Sequence, residues 1–250
     1  MADRLRWLGH STVLLDLDGV QLITDPLLRR RVLHLRRAAP LALEGLESLD
    51  AVLLSHVHHD HLDLPSLRLI GRETRVVVPR GAGRLLARRG FVATELSAGE
   101  QTALGPVSIR AVRADHPGRR ALGKQADVLG YVIAGSQFVY FAGDTELFPE
   151  MAEIANRVDV ALVPIWGWGP RLGPGHLDPD SAAEALALVR PRIAVPIHWG
   201  TYYPLTSLRR SPPAFLEEPL ERFRRAAAER APGVDVRVLP VGGTLELRRD

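Results

Sequence analysis

The sequence contains no cysteine, and Lys124 is its one lysine. The absence of cysteine excludes disulfide bonds, thiolate metal ligands and cysteine nucleophiles, so any bound metal ion must be held by nitrogen and oxygen atoms. The scarcity of lysine places the positive charge on arginine, with a formal net charge of +3 and a pI of about 9.8. This arginine bias is typical of a GC-rich genome. The alternative is an arginine-lined entrance for anionic or phosphorylated substrates.

Long apolar runs are also missing. No stretch approaches the ~20 residues of a membrane-spanning helix. The N-terminal segment MADRLRWLGHSTVLLDL lacks the three regions of a signal peptide, and no basic run with interleaved aromatics indicates a nucleic-acid surface. We therefore expect a cytoplasmic protein with no membrane span and no nucleic-acid partner. The oligomeric state stays open, a homo-oligomer included.

Short apolar runs bounded by Gly, Asp and Pro recur along the 250 residues and predict strands. The Asp18-Gly19 pair predicts a hairpin turn, Asp63 and Asp178 are candidate helix N-caps, and VRVLP and TLEL are predicted as closing strands. We predict helices in several places, including residues 64–71, 81–90, 147–158, 181–190 and 216–230. Two strand-rich stretches, each followed by mixed units, indicate an α/β fold in which two sheets pack face to face with helices outside. We expect a four-layer αββα sandwich that forms one domain over residues 1–250.

The most informative segment is HVHHDHLD, which runs from His56 to Asp63 directly after the apolar run AVLLS. Within it, His56, His58, Asp60 and His61 fit the pattern H-x-H-x-D-H. Residues i and i+2 of an extended backbone project to the same side, so His56 and His58 can reach one ion. The chain then turns into a helix, which swings Asp60 and His61 toward a neighbouring position. One loop therefore predicts ligands for two metal ions a few ångströms apart.

Further candidate ligands follow predicted strands, where α/β folds place functional groups. Any one histidine taken alone is more simply a surface or capping residue, but the regular spacing of the whole set argues against that reading. Two divalent ions would bring four positive charges, and two carboxylates and a bridging hydroxide would offset three of them. The predicted metal ligands are His56, His58 and His116 for one ion, Asp60, His61 and His198 for the other, and Asp144 between the two.

By these motifs the chain resembles the metallo-β-lactamase-fold hydrolase superfamily, which is defined by H-x-H-x-D-H followed by a later His, an Asp and a final His. The stretches WLGHSTVLLDLDGVQLITDPLL, SHVHHDHLD, FAGDTELF, GHLDPDSAAEAL and VPIHWGTY are similar to the branch with L-ascorbate-6-phosphate lactonase and the N-acyl-phosphatidylethanolamine-hydrolysing phospholipase D. The resemblance implies the αββα sandwich, the same two ligand sets and a bridging Asp144. It also implies that Asp25 supports the metal-binding loop, although a turn before Pro26 is the simpler alternative.

Two departures from relatives narrow the chemistry. The commonest dinuclear β-lactamases use a cysteine ligand, so its absence here argues against antibiotic hydrolysis. The diiron oxygen-reducing relatives carry Glu in place of His58, which argues against redox work.

Several residues near the motifs have two interpretations each. By the resemblance, His176 contacts the substrate or donates a proton, and the alternative is a loop histidine bonded to backbone. His10 recurs in the branch, but a structural hydrogen bond is equally consistent. Trp166 and Trp168 either line a substrate pocket or form a small lid, or they simply pack a long loop. Tyr202 and Tyr203 could form pocket walls. Arg119, Arg120 and Arg171 could bind a phosphate or remain solvated, His59 should face solvent, and His34 carries no signal.

Together these residues predict metal-assisted hydrolysis of a small anionic ester, lactone or phosphodiester. A bridging hydroxide, available because divalent metals lower the pKa of bound water to ~7, would attack a carbonyl carbon or phosphorus. Asp60 would orient it, and His176 or a metal-bound water would protonate the leaving group. His-rich sites favour Zn²⁺, and Mn²⁺ and Fe²⁺ also fit. The alternatives are a nuclease-type phosphodiesterase and a metal-binding scaffold without catalysis.

Overall fold

The computed structural model describes residues 3–118, 126–154, 157–205 and 214–247. In chain order the strands are β1 (Arg4–Gly9), β2 (Thr12–Leu17), β3 (Val20–Thr24), β4 (Arg31–Val32), β5 (Leu35–Arg37), β6 (Ala51–Leu53), β7 (Arg75–Pro79), β8 (Ala93–Leu96), β9 (Gln101–Leu104), β10 (Val107–Arg113), β11 (Leu129–Ala134), β12 (Phe138–Phe141), β13 (Val160–Pro164), β14 (Ile193–Ile197), β15 (Tyr202–Pro204), β16 (Asp235–Val236) and β17 (Thr244–Glu246). The α-helices are α1 (Leu64–Ile70), α2 (Gly83–Ala87), α3 (Pro179–Val189) and α4 (Glu218–Arg230), and 3₁₀ turns cover Pro149–Glu153 and Ala214–Leu216.

Two large sheets and one small sheet organise these strands. The first large sheet has the order β17-β1-β2-β3-β6-β7-β8, and the second has the order β16-β14-β13-β12-β11-β10-β9. In each large sheet, antiparallel hairpins at one side give way to parallel strands at the other. The small sheet, β15-β5-β4, lies outside both.

Three apolar clusters separate four layers. Leu15 of the first sheet and Phe141 of the second belong to the central cluster, which lies between the sheets. The outer face of the first sheet packs on α1 and α2, and the outer face of the second packs on α3 and α4. Strands β13 and β14 are buried along their whole length, as strands covered on both faces should be. The predicted αββα sandwich is therefore confirmed.

Local signals in the sequence explain where several elements begin and turn. Asp18 and Gly19 both have positive φ, 50° and 80°, as a type I′ hairpin turn requires, and they join β2 to β3. The Asp63 side chain accepts a hydrogen bond from the Ser66 N–H and caps α1. Asp178 and Ser181 form a reciprocal capping box at the start of α3. The predicted turn and both predicted N-caps are confirmed.

The predicted helix over residues 147–158 is wrong. The described part of this segment contains only a 3₁₀ turn, in which the Met151 N–H donates to the Phe148 carbonyl and the Ile154 N–H donates to the Met151 carbonyl. Side chains three residues apart eclipse one another in a 3₁₀ turn, so these three residues form one buried stripe against the second sheet. Because these residues are three positions apart, the 3₁₀ turn buries all of them against the sheet, and no α-helix is needed.

The strand predicted for VRVLP is also mostly wrong. Ladder pairing in β16 ends at Val236, although the Arg237 N–H still donates to the Ala194 carbonyl. The segment then leaves the sheet and turns at Pro240, where the Gly243 N–H donates to the Pro240 carbonyl. Conversely, β4, β5 and β15 were not predicted.

None of the described helices is long and apolar enough for a bilayer crossing.

Candidate metal centre

Every predicted metal ligand lies at one edge of the two large sheets. Strands β3 and β6 run parallel in the first sheet, as do β12, β13 and β14 in the second. Strand β10 has the direction of β12, because each is antiparallel to β11. The loops after β6, β10, β12 and β14 therefore emerge at the same side and bring together residues that are up to 142 positions apart, the separation of His56 and His198.

Three histidines converge at the first position. His56 Nε2 and His116 Nε2 each lie 3.0 Å from His58 Nδ1, so three ring nitrogens face one point. These atoms are close enough to hold one metal ion. His56 and His58 stand two residues apart in the extended segment that leaves β6, as the sequence pattern predicted.

Asp60, His61 and His198 meet beside the first group. His61 Nε2 lies 3.6 Å from Asp60 Oδ2 and 3.3 Å from His198 Nε2. A turn closed by hydrogen bonds from the His61 and Leu62 N–H groups to the His58 carbonyl swings Asp60 and His61 away from the first position. These three residues, together with His10, form a second group that could hold a metal ion.

Asp144 lies between the two groups. Its Oδ2 is 3.1 Å from His61 Nε2 and 4.0 Å from His56 Nε2, and its Oδ1 is 3.3 Å from His198 Nε2. Gly143, at φ 64°, brings the chain so close to Ser55 that a Cβ would lie 2.7 Å from the Ser55 Cβ. A glycine is therefore needed for the backbone to deliver this carboxylate between the sheets.

The outward-facing nitrogens of the histidine rings are already bonded. His116 Nδ1 lies 2.5 Å from the Gly175 carbonyl oxygen, His198 Nδ1 lies 2.7 Å from that of Trp166, and His61 Nδ1 lies 2.7 Å from Asp25 Oδ2. Because these oxygens only accept, each Nδ1 carries a proton, which leaves Nε2 as the nitrogen directed at the centre. This is the arrangement that metal-binding histidines adopt.

Asp25 supports the centre from behind. Its Oδ1 accepts from the Ser55 N–H at 2.7 Å, and its Oδ2 accepts from the Ser55 hydroxyl at 2.5 Å and from His61. The backbone of Asp25, His10 and His198 has φ between 32° and 60°, a region that few non-glycine residues occupy. Asp25 is fully buried and links Ser55 to His61 at the two ends of the metal-binding loop. This agrees with the supporting role that the resemblance implied.

His10 contacts the second group directly. Its Nε2 lies 3.2 Å from Asp60 Oδ2, and its ring lies 4.0 Å from the His198 ring. Its backbone N–H donates to the Thr201 hydroxyl. His10 therefore orients the Asp60 carboxylate and packs against a neighbouring ring.

The electrostatics of the cluster fit a cation. Burial lowers the pKa of His116 to about 4 and that of His198 to about 3, so both rings are neutral. Burial also acts to lower the pKa of His61, but the carboxylates of Asp144, Asp60 and Asp25 outweigh it and hold that pKa well above its usual value. Burial alone would raise the pKa of Asp60 and of Asp144, yet the surrounding imidazoles hold both well below the usual range.

One buried atom gives a further test of fit. Asp144 Oδ1 has no hydrogen-bond partner among the described residues. An unpaired buried carboxylate oxygen is costly unless a charge meets it. Imidazole nitrogens and ionised carboxylates are aimed at two adjacent points, and the carboxylates that favour a proton on His61 would equally favour a metal cation there. The residues present therefore fit divalent cations bound by nitrogen and oxygen.

His176 stands at the mouth of the cluster. Its Nδ1 lies 3.1 and 3.0 Å from the carbonyl oxygens of Gly173 and Pro174, and its Nε2 lies 3.4 Å from Asp144 Oδ2. Burial acts to lower its pKa, but the contact with Asp144 and the two carbonyls outweighs burial and raises it. The ring is therefore bonded to loop backbone and also faces the centre, and its role toward a substrate stays a prediction.

A cavity of about 440 Å³ opens over His58, Asp60, Asp144 and His176. Its other walls include Trp168, His59 and the hairpin of β4 and β5. His59 was expected to face solvent, but it is half-buried in this wall. Trp168 lines the cavity, whereas the Trp166 N–H donates to the Gly169 carbonyl within its own loop. Tyr202 is buried beneath the hairpin, and Arg119 and Arg120 lie outside the described residues.

The hairpin residues at the cavity are what sequence reasoning missed. Val32, Leu33, His34 and Leu35 line the cavity, and the His34 ring lies 5.0 Å from the Trp168 ring. The alternation in RRVLHLR could have indicated two short strands. It could not have indicated that β5 pairs with β15, which is more than 160 residues away in the chain.

A buried His/Asp cluster at the edge of an αββα sandwich defines the class of metal-dependent hydrolases with the metallo-β-lactamase fold. Residues 21–199 match the family of the beta-lactamase superfamily domain, and the chain belongs to that family. It thus belongs to a superfamily of metal-dependent hydrolases, as the sequence predicted.

Relatives support the same class. The chain is 34% identical over 225 residues to an N-acyl-phosphatidylethanolamine-hydrolyzing phospholipase D 1 of Caenorhabditis elegans; the match covers 78% of this chain and 63% of the relative's length. It is 32% identical over 255 residues to a metal-dependent hydrolase of Opitutus terrae, covering 98% and 100% of the two chains. Among solved structures, the metallo hydrolase Igni18 of Ignicoccus hospitalis is similar over 100% of both chains, with a TM-score of 0.75 and 25% identity.

Proposed function

We propose that this hydrolase holds two divalent ions and uses them to cleave a small anionic ester, lactone or phosphodiester. The observation that carries the proposal is the pair of ligand groups that meet at Asp144. His56, His58 and His116 would hold one ion, Asp60, His61 and His198 would hold the other, and Asp144 would bridge them. Zn²⁺ is the favoured ion for ligands of this kind, with Mn²⁺ and Fe²⁺ as alternatives.

Divalent ions bound there would supply a hydroxide nucleophile at neutral pH and a Lewis acid for the electrophile. The chain's own residues do the rest. Asp60, oriented by His10 at 3.2 Å, presents an ionised carboxylate at the floor of the cavity. His176 faces the same space with the nitrogen that is free of backbone carbonyls, Nε2. We propose that Asp60 positions the nucleophile and that His176 contacts the substrate or protonates the leaving group.

The cavity supports a substrate of small-molecule size. Its volume of about 440 Å³ lies in the range of ligand sites, ~300–1,000 Å³. Its walls combine the apolar side chains of Val32, Leu35 and Trp168 with the polar cluster at the floor. A phosphodiester is one candidate, because the phospholipase relative is named for such a substrate. The alternative substrate is nucleic acid.

We also propose that the protein is cytoplasmic and that residues 1–250 form one domain.

The direct test is metal removal followed by reconstitution. A screen of bis(p-nitrophenyl) phosphate, lactones and carboxylic esters first identifies a substrate that the purified protein hydrolyses. We expect dialysis against a chelator to abolish hydrolysis of that substrate. We expect about two equivalents of Zn²⁺, Mn²⁺ or Fe²⁺ to restore it. Elemental analysis of the protein as purified identifies the ion. Full restoration by one equivalent would contradict a dinuclear centre, and chelator-resistant hydrolysis would contradict the proposal as a whole.

The role of His176 is tested with His176→Gln, which keeps a hydrogen-bonding side chain but cannot donate a proton at neutral pH. We expect kcat to fall by about 10²-fold or more, as when a general acid is lost, while bound metal per chain is unchanged. The fall in kcat should be smaller for a substrate whose leaving group has a low pKa, such as p-nitrophenolate, than for one that releases an alkoxide. Loss of metal from this variant would instead make His176 a ligand, since it also stands beside His116 and Asp144.

A further inference from the structure

The hairpin of β4 and β5 has a second face, directed away from the candidate metal centre. A separate cavity of about 470 Å³ lies there, lined by Arg30, Arg31, Arg36, Arg37 and the segment 38–41. We call this lining the arginine face; Arg31 and Arg36 lie on the side of the hairpin opposite Val32 and Leu35, and Arg37, which lies on the Leu35 side of its strand, borders the cavity with its buried guanidinium. None of the described residues that line this cavity is acidic, so four guanidinium groups set its electrostatic character.

The register of the hairpin concentrates these charges. Arg31 and Arg36 are direct cross-strand partners, and the Arg37 N–H donates to the Arg30 carbonyl at the next step of the ladder. Like charges placed opposite each other on neighbouring strands destabilise a sheet. Arg31 and Arg36 are exposed, and neither forms an ion pair with a described residue. The hairpin therefore carries a repulsion that a bound anion would relieve.

Arg37 adds a buried charge to this set. It is 7% exposed, and its guanidinium donates to the carbonyl oxygens of Pro40, Leu27 and Leu8 and to the Tyr202 hydroxyl. All of these acceptors are neutral, so within the described residues its positive charge has no counter-ion within ion-pair distance. A buried cation satisfied only by neutral groups favours an anion nearby.

Arginine abundance alone does not explain this arrangement. Other arginines of the chain have carboxylate partners, including Arg29 with Asp63 and Arg80 with Glu100. A genome that favours arginine raises the number of arginines but does not keep carboxylates away from one group of them.

We propose that the arginine face is a binding site for a phosphate group, separate from the metal centre. Guanidinium forks match the oxygens of phosphate, and several of them together suit a phosphomonoester, pyrophosphate or the headgroup of an anionic lipid. The opposite face of the same hairpin, with Val32 and Leu35, walls the cavity over the metal centre. The proposed phosphate site and the substrate cavity are therefore separated only by the β4–β5 hairpin. This proposal does not depend on which bond the metal centre cleaves.

The test measures binding by the metal-loaded protein, so that it does not depend on activity. Isothermal titration with pyrophosphate and co-sedimentation with phosphatidylglycerol vesicles, with phosphatidylcholine vesicles as reference, distinguish a soluble phosphate from a lipid headgroup. We expect binding in at least one arm, weakened between about 50 and about 500 mM NaCl. The double variant Arg31→Gln/Arg36→Gln should bind about tenfold more weakly or worse, with metal content unchanged.

The matched control is Arg88→Gln/Arg89→Gln, which removes two exposed arginines at the end of α2. It should bind like the wild type. Absence of binding in both arms would overturn the proposal. If the Arg31/Arg36 variant bound as tightly as the wild type, the anion would lie at the metal centre instead. If the control variant lost as much affinity as the Arg31/Arg36 variant, the effect would come from the net charge of the protein and not from this site. Either result would also overturn it.

Discussion

Asp144→Asn is expected to reduce hydrolysis by at least about 10³-fold, because the change removes the carboxylate that both ligand groups share in the proposed centre. Asp144 lies within 3.1 to 4.0 Å of His56, His61 and His198. In the variant, an amide that cannot carry negative charge would replace it. Metal catalysis contributes several kcal/mol of transition-state stabilisation, and each 1.36 kcal/mol is a factor of ten in rate.

The measurement is kcat/KM on the best substrate of the panel, together with metal per chain from elemental analysis. We expect the metal content to fall along with activity, and the near-UV circular dichroism to stay native, since Asn has nearly the same size. The matched control is Asp115→Asn, because Asp115 is adjacent to His116 in sequence but is exposed and pairs with Arg113. That control should keep activity within about twofold. Wild-type turnover in Asp144→Asn would eliminate the proposed centre.

The clustering of the proposed ligand residues could be predicted because its signal is local. In HVHHDHLD, extended spacing followed by a turn brings four side chains to two adjacent points without any knowledge of distant contacts, and the structure has that turn at His58–His61. His116, Asp144 and His198 each follow a strand that was evident from apolar periodicity. Parallel strand direction then places their loops at one edge.

The substrate cavity could not be predicted in the same way. Its hairpin consists of strands of two and three residues, and it is held by pairing of β5 with β15, which lies far away in the chain. Its apolar face and its arginine face become visible only when that long-range pairing fixes the register. His34 therefore carried no sequence signal although it lines the cavity.

The error at residues 147–158 has a related cause. Phe148, Met151 and Ile154 are spaced by three, which fits an α-helical stripe and a 3₁₀ turn equally over so short a segment. Pro149 begins the turn, and the described hydrogen bonds run from i+3 to i. Packing against the second sheet, which the sequence does not reveal, selects the tighter form.

The second large effect is expected for Asp25→Asn, which alters no proposed metal ligand. Asp25 accepts three hydrogen bonds, from the Ser55 N–H, the Ser55 hydroxyl and His61 Nδ1. An Asn side chain offers one acceptor oxygen and an NH₂ group, so at least one of the donors would face another donor. Asn tolerates the positive φ of this position, 32°, so the backbone itself should not prevent folding.

We expect Asp25→Asn to weaken metal affinity by about 10- to 100-fold, as when the partner of a metal-binding histidine is removed. The His61 ring would lose the carboxylate that fixes its tautomer, and Nε2 would no longer be held with its lone pair toward Asp144. Competition with a chromophoric chelator measures the affinity. Asp16→Asn, a buried carboxylate on β2 that pairs with Arg4 instead, is the control and should leave the affinity unchanged. Excess metal should restore turnover in Asp25→Asn but not in Asp144→Asn, because the first variant keeps every proposed ligand; failure of that rescue would place Asp25 in the centre itself rather than behind it.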